Sequence, residues 1–248
     1  MDKPIKPVKS TTPATDFPQL LAMADEFRLK CSGILLGQDG IFFLDMEITA
    51  KLSLLIKLPT NPNDAVQHQL CFDIVKHIEK LNIHLQTVGR DHPDEFNKLQ
   101  REPYYQHLEI IKQGVLTHQQ TAFPHLHSAR QLTSSLQQLK KFDPKEYGAM
   151  YHLLMALEKT FFEKDLPAAD KLKMMMQQIS DAHHAIKNTL TTHLPLFGAK
   201  PKPNPLAAAI ETFIKEDMTH IAELNGITPF TTPTNTSRNP SVRTHQRG

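Results

Sequence analysis

The feature that most constrains the fold is a run of apolar residues with helical spacing in residues 62–88. Asn61 and Pro62 open the run in the manner of a helix N-terminus, and Gly89 is placed to end it. Within the run, apolar side chains recur every three or four residues, which puts them on one face of a helix. These side chains are Val66, Leu70, Ile74, Ile78, Leu81, Leu85 and Val88.

Similar patterns occur along most of the chain. Asp16 is placed to cap a first helix, with Pro18 in its first turn. Only nine glycines occur in 248 residues, which suits helices joined by short loops. Together these patterns predict a mainly helical protein. Further helices are predicted over residues 91–112 with an interruption near Pro103, 114–141 with a break at Pro124, 144–165, 167–194 and 205–225.

Composition divides the chain into four parts. Residues 1–15 and 227–248 are rich in Pro, Thr, Ser, Lys and Arg, and we expect them to be disordered basic tails. Residues 16–60 are expected to form a helix and a β-hairpin packed on the body, and residues 61–226 a helical bundle. The formal net charge is +2, and the tails supply the excess of positive charge. The body is therefore mildly acidic, which disfavours a nucleic-acid-binding function.

Residues 33–58, GILLGQDGIFFLDMEITAKLSLLIKL, are the most apolar stretch of the chain. Apolar residues occupy the even positions from 44 to 58, and the odd positions between them are polar except Leu55. This alternation is typical of a β-strand with one buried face. Asp39 and Gly40 stand between two apolar runs, which is a strong signal for a hairpin turn. The sequence therefore predicts a small N-terminal β-hairpin or meander.

A helix is the alternative for this stretch. Glu47 and Lys51 are four residues apart, a spacing at which they would pair on a helix. The polar residues would nevertheless scatter around such a helix without forming a face. The predicted fold class is therefore α+β: mainly α, with a small β element and a helical-bundle body.

The predicted order of helix, hairpin, strand and helix resembles that of small secretion chaperones, which bind unfolded segments of exported proteins. The resemblance rests on the alternation and on the turn at Asp39 and Gly40, and the long helical remainder departs from it. It implies a role in binding other proteins.

Histidine is unusually frequent, with 14 residues. Histidine and carboxylate side chains bind divalent metals, and histidine titrates near neutral pH. No HExxH motif or pair of ExxH motifs occurs, and no cofactor other than a divalent metal is indicated. Two groups have a spacing that would place their members on one helix face. The candidate metal ligands are Asp73, His77 and His84 in one group and Glu216, His220 and Glu223 in the other.

Other histidines and the cysteines are open to simpler interpretations. His125 and His127 would point the same way in an extended segment, and His183 lies on an apolar stripe, where a core role is expected. Cys31 and Cys71 lie among apolar residues and are expected to be buried, reduced thiols. Neither a GxSxG motif nor a phosphate-binding loop is present.

These observations favour a non-enzymatic interaction or adaptor protein that binds another protein through a helix face or the hairpin edge. The composition, rich in His, Gln, Thr and Lys, would also suit a bacterial effector. The alternative function is a metal-dependent enzyme with His and carboxylate ligands in a helical bundle. Membrane-surface binding is disfavoured because Asp45 and Glu47 lie on the polar side of the apolar stretch.

The first 17 residues lack the apolar core of a cleavable secretion signal, and no apolar run is long enough for a membrane span. The cytoplasm is the expected location, and export by a route without a cleaved signal stays open.

Overall fold

A computed structural model of the chain describes residues 15–35, 39–139, 144–189 and 205–228. All regular secondary structure in these ranges is helical, which confirms the prediction of a mainly helical protein. A 3-10 turn spans Pro103–Gln106 and a π-helical turn spans Ile214–Met218. The helices are α1 (Phe17–Leu35), α2 (Asp39–Lys57), α3 (Ala65–Asp91), α4 (Pro93–Arg101), α5 (His107–Ala122), α6 (Pro124–Gln138), α7 (Pro144–Phe161), α8 (Ala168–Thr189), α9 (Pro205–Phe213) and α10 (Thr219–Leu224).

The helices pack around one connected apolar core. Helices α1 and α3 each contact both α2 and α5, while α6, α7 and α8 form a second group with α9 against α8. Helix α6 also contacts α3 and α5, so it joins the two groups. None of the helices in the described ranges is long and apolar enough to cross a membrane.

Side-chain caps start helices α1 and α3. The prediction for Asp16 is confirmed, because its Oδ1 accepts a hydrogen bond of 3.2 Å from the backbone N–H of Gln19. Helix α3 begins later than predicted, since Asp64 and not Asn61 is its cap. Asp64 Oδ1 accepts from the N–H groups of Val66 at 2.8 Å and Gln67 at 3.2 Å, which satisfies two donors that have no partner within the helix.

The apolar seam predicted for α3 is largely buried. Its central residues Ile74, Ile78, Leu81 and Leu85 are fully inaccessible to solvent, as the helical spacing predicts. Val66 is an exception and is exposed, because the first turn of α3 points Ala65 and His68 inward in its place.

Gly89 does not end α3, which continues to Asp91. A Cβ atom at position 89 would lie 2.5 Å from the ring of Phe96 in α4, closer than real Cβ contacts come. Glycine at this position therefore lets α4 fold back closely against the end of α3. Pro93 then opens α4 at its first turn, where a missing N–H costs nothing.

The β-hairpin predicted for residues 33–58 is wrong where the structure describes these residues, since they form the end of α1 and helix α2. The buried positions of α2 follow helical spacing: Asp45, Ile48, Leu52 and Leu55. Leu55, the one exception to the alternation, is therefore an inward residue. The chaperone resemblance, which needed a hairpin, loses its basis.

The alternation arose because α2 is apolar on two sides. Met46 and Leu54, which a strand would place beside Ile48 and Leu52, are instead exposed on the opposite side of the helix. The predicted basic tails, 1–15 and 227–248, lie almost entirely outside the described residues.

Candidate functional site

The first group of predicted metal ligands lies along α3. Asp73 accepts a hydrogen bond of 2.7 Å from Gln69 Nε2. Burial, together with the positive charge of Lys51, lowers the pKa of His77. His84 is exposed two turns further along the helix.

The second predicted group, Glu216, His220 and Glu223, is exposed on the final helical segment. Glu216 lies in the π-helical turn, whose wider winding changes the phase of the residues that follow it. In the described parts of the chain, no three His, Cys, Asp or Glu side chains are placed to hold a metal ion. The metal site therefore stays a prediction from sequence.

The structure separates the two histidines that follow Pro124, because they lie in helix α6 and not in an extended segment. His125 Nδ1 donates to Asn225 Oδ1 at 2.9 Å, and Asn225 Nδ2 donates to Ser128 Oγ at the same distance. These bonds hold the end of α10 against α6. His127 turns inward instead, with its ring 6.3 Å from that of His68.

The predictions for Cys31, Cys71 and His183 are confirmed. Cys31 and Cys71 are buried, free thiols, and burial raises the pKa of each to about 12. His183 is a buried residue of α8, and its Nε2 lies 3.9 Å from Glu211 Oε2 on α9.

A partly buried polar cluster joins α3, α6 and α7, and no local sequence pattern predicts it. Arg130 of α6 is almost fully buried and donates from Nη1 to Glu158 Oε2 at 2.8 Å. Its Nη2 donates to Gln69 Oε1 of α3. The guanidinium carbon lies 4.0 Å from the ring centroid of Phe161 and 5.8 Å from that of Phe162. One cation therefore fixes side chains from two neighbouring helices.

His68 lies beside this cluster and is fully buried. Its ring meets Phe161 and Phe123 edge-on, at centroid distances of 5.6 Å and 6.0 Å. Neither ring nitrogen has a hydrogen-bond partner among the described residues. Burial, reinforced by the neighbouring His127 and Arg130, lowers the pKa of His68 to about 3. A neutral histidine is therefore built into the core.

Large exposed side chains lie along the outer side of α7 and at the residue just after it. Tyr151, Met155 and Phe162 are 51%, 54% and 37% exposed. Their spacing of four and seven residues places them on one line along the helix. Glu158, which Arg130 holds, lies on the same line. We call these four residues the α7 face.

A shallow cavity of about 540 Å³ opens at the C-terminal end of the α7 face. Its wall combines apolar side chains with charges of both signs. The lining residues are Met155, Glu158, Lys159, Phe162, Glu163, Lys164 and Asp165.

The sequence does not reveal the α7 face, since Tyr151 suits the rim of a core equally well. The spacing of Tyr151, Met155 and Phe162 was the available signal, although it does not say which side of the helix packs inward. The chain matches no protein-family model, no curated protein and no solved structure, so its function is inferred from geometry alone.

Proposed function

We propose that the protein acts by binding another protein through the α7 face. The observation that carries this proposal is the line of three large exposed side chains, Tyr151, Met155 and Phe162, which leads into a cavity. Single exposed apolar residues are ordinary, whereas an aligned set with a polar rim is typical of an interaction site. Tyr, Met and Phe are also enriched at protein interfaces.

The Arg130 cluster supports the proposal because it orders the surface in advance. Glu158 is held by a hydrogen bond of 2.8 Å from Arg130, and the same guanidinium lies near the ring of Phe162. Binding costs less free energy when the contacting side chains are already fixed. Two of the four residues of the α7 face meet this condition.

The cavity suggests the chemistry of the partner. Its lining combines Lys159 and Lys164 with three acidic residues and with the apolar side chains of Met155 and Phe162. A partner that inserts one apolar side chain and carries charges of both signs beside it would match this wall. An amphipathic helix laid along α7 meets these requirements, because its apolar residues recur at the spacing of the α7 face.

The proposal is tested by photo-crosslinking in extracts of the producing cells. A photoreactive phenylalanine derivative replaces Tyr151, where an aromatic side chain already projects into solvent. The same derivative replaces His84, an exposed residue of α3, in a matched control. We expect an adduct of defined mass from position 151 that is absent from position 84.

A second variant shows whether the adduct depends on the α7 face. Met155→Asp places a charge in the centre of the face without touching the core, because Met155 is more than half exposed. It should leave the thermal unfolding temperature unchanged and abolish the adduct at position 151. Equal adducts at positions 151 and 84, or an adduct that survives Met155→Asp, would contradict the proposal.

A further inference from the structure

The two groups of helices are each continuous in sequence, and they meet at one junction. Helices α1 to α5 form the first group and α6 to α10 the second. The chain passes from the first group to the second at Phe123, the single residue between α5 and α6, whose backbone is not helical. Phe123 is therefore placed to act as a hinge, because hinges are commonly residues at the ends of elements.

Three histidines lie at this junction, one on each of the helices that meet there. His68 of α3 and His118 of α5 both meet the ring of Phe123 edge-on, at centroid distances of 6.0 Å and 5.5 Å. The ring centroid of His127 on α6 lies 6.3 Å from that of His68. We call His68, His118 and His127 the junction histidines. They belong to both groups of helices, so their charge acts on the contact between the groups.

The closed junction keeps these histidines neutral. His68 is fully buried, and neither of its ring nitrogens has a hydrogen-bond partner among the described residues. His118 and His127 are partly buried, and burial lowers the pKa of all three histidines. A charged imidazole that is buried without a hydrogen-bond partner is strongly disfavoured.

Positive charge near the junction opposes protonation further. Arg130 of α6 and His127 both lower the pKa of His68, in addition to burial. Lys171 of α8 is also buried, with its Nζ 3.4 Å from the carbonyl oxygen of Asn63 in the loop before α3. A proton on a junction histidine would therefore add positive charge to a region that already contains Arg130 and Lys171.

The carboxylates on the surrounding elements are engaged with other groups. Each of them caps a helix, accepts a hydrogen bond from a side chain or acts on Lys171. They are Asp16 at the start of α1, Asp64 at the start of α3, Asp73 beside Gln69, Glu158 beside Arg130, and Glu163. They do not offset the effect of burial on the pKa values of the junction histidines.

We propose that the junction histidines form an acid-sensitive switch, which opens the two groups of helices about Phe123 when the histidines bind protons. In the open form the imidazoles reach water, where they protonate below about pH 6.5. Each histidine that is neutral when closed and charged when open favours opening by up to about tenfold per pH unit below that value. Protonation of histidine clusters rearranges interfaces in other pH-sensitive proteins by the same principle.

Opening breaks the contacts between the groups and keeps those within each group. At neutral pH the groups are held together by Arg130 Nη2, which donates to Gln69 Oε1, and by the N–H of Ala168, which donates to Asn63 Oδ1 at 2.9 Å. The apolar contacts among α1, α2, α3 and α5, and those among α6, α7 and α8, contain none of these bonds. Helix content should therefore be retained. The switch requires no partner at the α7 face, so the two proposals fail or succeed separately.

The experiment measures the distance between the two groups in the full chain by double electron–electron resonance. Spin labels at Lys80→Cys on α3 and Met174→Cys on α8 occupy exposed positions, one in each group. Cys31 and Cys71 are buried, so the labels are attached at neutral pH. The control pair, Lys57→Cys and Lys80→Cys, lies within the first group. From about pH 7 to about pH 4, the first distance should lengthen while the control distance and the far-UV circular dichroism stay constant.

Variants of the junction histidines test whether they cause the opening. His68→Leu removes one of the three groups and should move the midpoint of opening to lower pH by about half a unit. His127→Gln, at a partly buried position, should move the midpoint in the same direction without altering the packing at position 68. His84→Gln, at an exposed position, should leave the midpoint unchanged.

Three results would overturn the proposal. The first is a distance between the groups that stays constant down to about pH 4. The second is a lengthening that coincides with loss of helix content, which would mean that the whole chain unfolds. The third is a midpoint that is the same in the wild type, His68→Leu and His127→Gln.

Discussion

The guanidinium group of Arg130 lies over the ring of Phe161, with its carbon 4.0 Å from the ring centroid. The same group reaches Gln69 on α3 and Glu158 on α7. Since Arg130 itself belongs to α6, one side chain connects three helices. Its planar shape permits this, because the flat face stacks on a ring while the edges donate hydrogen bonds.

Replacing Arg130 by lysine should therefore lower the stability of the fold although the positive charge is kept. We expect Arg130→Lys to lower the free energy of unfolding by about 2 kcal/mol, since an ammonium group cannot stack and bond at the same time. Urea denaturation measures the difference.

Glu158→Gln is the matched comparison for Arg130→Lys, because it changes only one partner of the arginine. The Glu158 side chain is 43% exposed, so we expect a loss below about 1 kcal/mol. Equal losses for the two variants would mean that the ion pair dominates and the stacking on Phe161 contributes little.

His68 should make the protein sensitive to acid. Its pKa falls from 6.5 to about 3 in the folded state, mainly through burial. As the pH falls below about 6.5, His68 binds a proton in the unfolded chain but stays neutral in the folded chain. Folding stability should therefore decrease with acidification down to about pH 3, by about 1.4 kcal/mol per pH unit for this group.

The variant His68→Leu tests this expectation by removing the titrating group. Urea unfolding at about pH 5 and about pH 7 should show a smaller difference in stability than in the wild type. Burial also lowers the pKa values of His118 and His127, so the pH dependence is reduced and not abolished. The control variant His84→Gln, at an exposed position, should show the same pH dependence of stability as the wild type. An unchanged pH dependence in His68→Leu would show that His68 is not the acid-sensitive group.

Local spacing was sufficient to predict α3 but not α2. In α3 the residues Ile74, Ile78 and Leu81 belong to an apolar face that recurs over the whole helix, so the helical period dominates although Ile83 on the other side is apolar and exposed. In α2 both the buried Leu52 and the exposed Leu54 are apolar. Two apolar sides hide the helical period and leave an alternation of apolar and polar residues, which predicts a strand.

Local sequence patterns do not predict the candidate site either, but for a different reason. Gln69 and Arg130 are 61 positions apart, and only the packing of α3 on α6 brings them together. The exposure of Tyr151 likewise depends on which side of α7 meets the core. Spacing identifies residues that share a helix face, but it does not say whether that face is covered.

Asp45 should make the protein less stable at high pH. It is buried in α2, and burial raises its pKa from 3.8 to about 7, with Arg28 opposing the shift and Asp25 adding to it. Above about pH 4 the unfolded chain ionises this group while the folded chain keeps it protonated. Folding stability should therefore fall as the pH rises from about 4 to about 7, and the loss persists above that.

The variant Asp45→Asn keeps the shape of the side chain without its charge. We expect a gain in unfolding free energy of roughly 2 to 4 kcal/mol at about pH 8 and little change at about pH 4. Chemical denaturation at both pH values measures it. Asp91→Asn, at an exposed position, should show no such gain. A gain of equal size at both pH values would exclude ionisation as the cause.

Leu55 and Ile56 are neighbours in α2 that distinguish the helix from the hairpin by experiment. In the helix Leu55 is buried and Ile56 is 39% exposed, whereas an alternating strand would bury Ile56 and expose Leu55. We expect Leu55→Ala to lower the free energy of unfolding by about 2 to 4 kcal/mol and Ile56→Ala by less than half as much. Urea denaturation of both variants beside the wild type gives the ranking. The reverse ranking would mean that this stretch pairs as a strand.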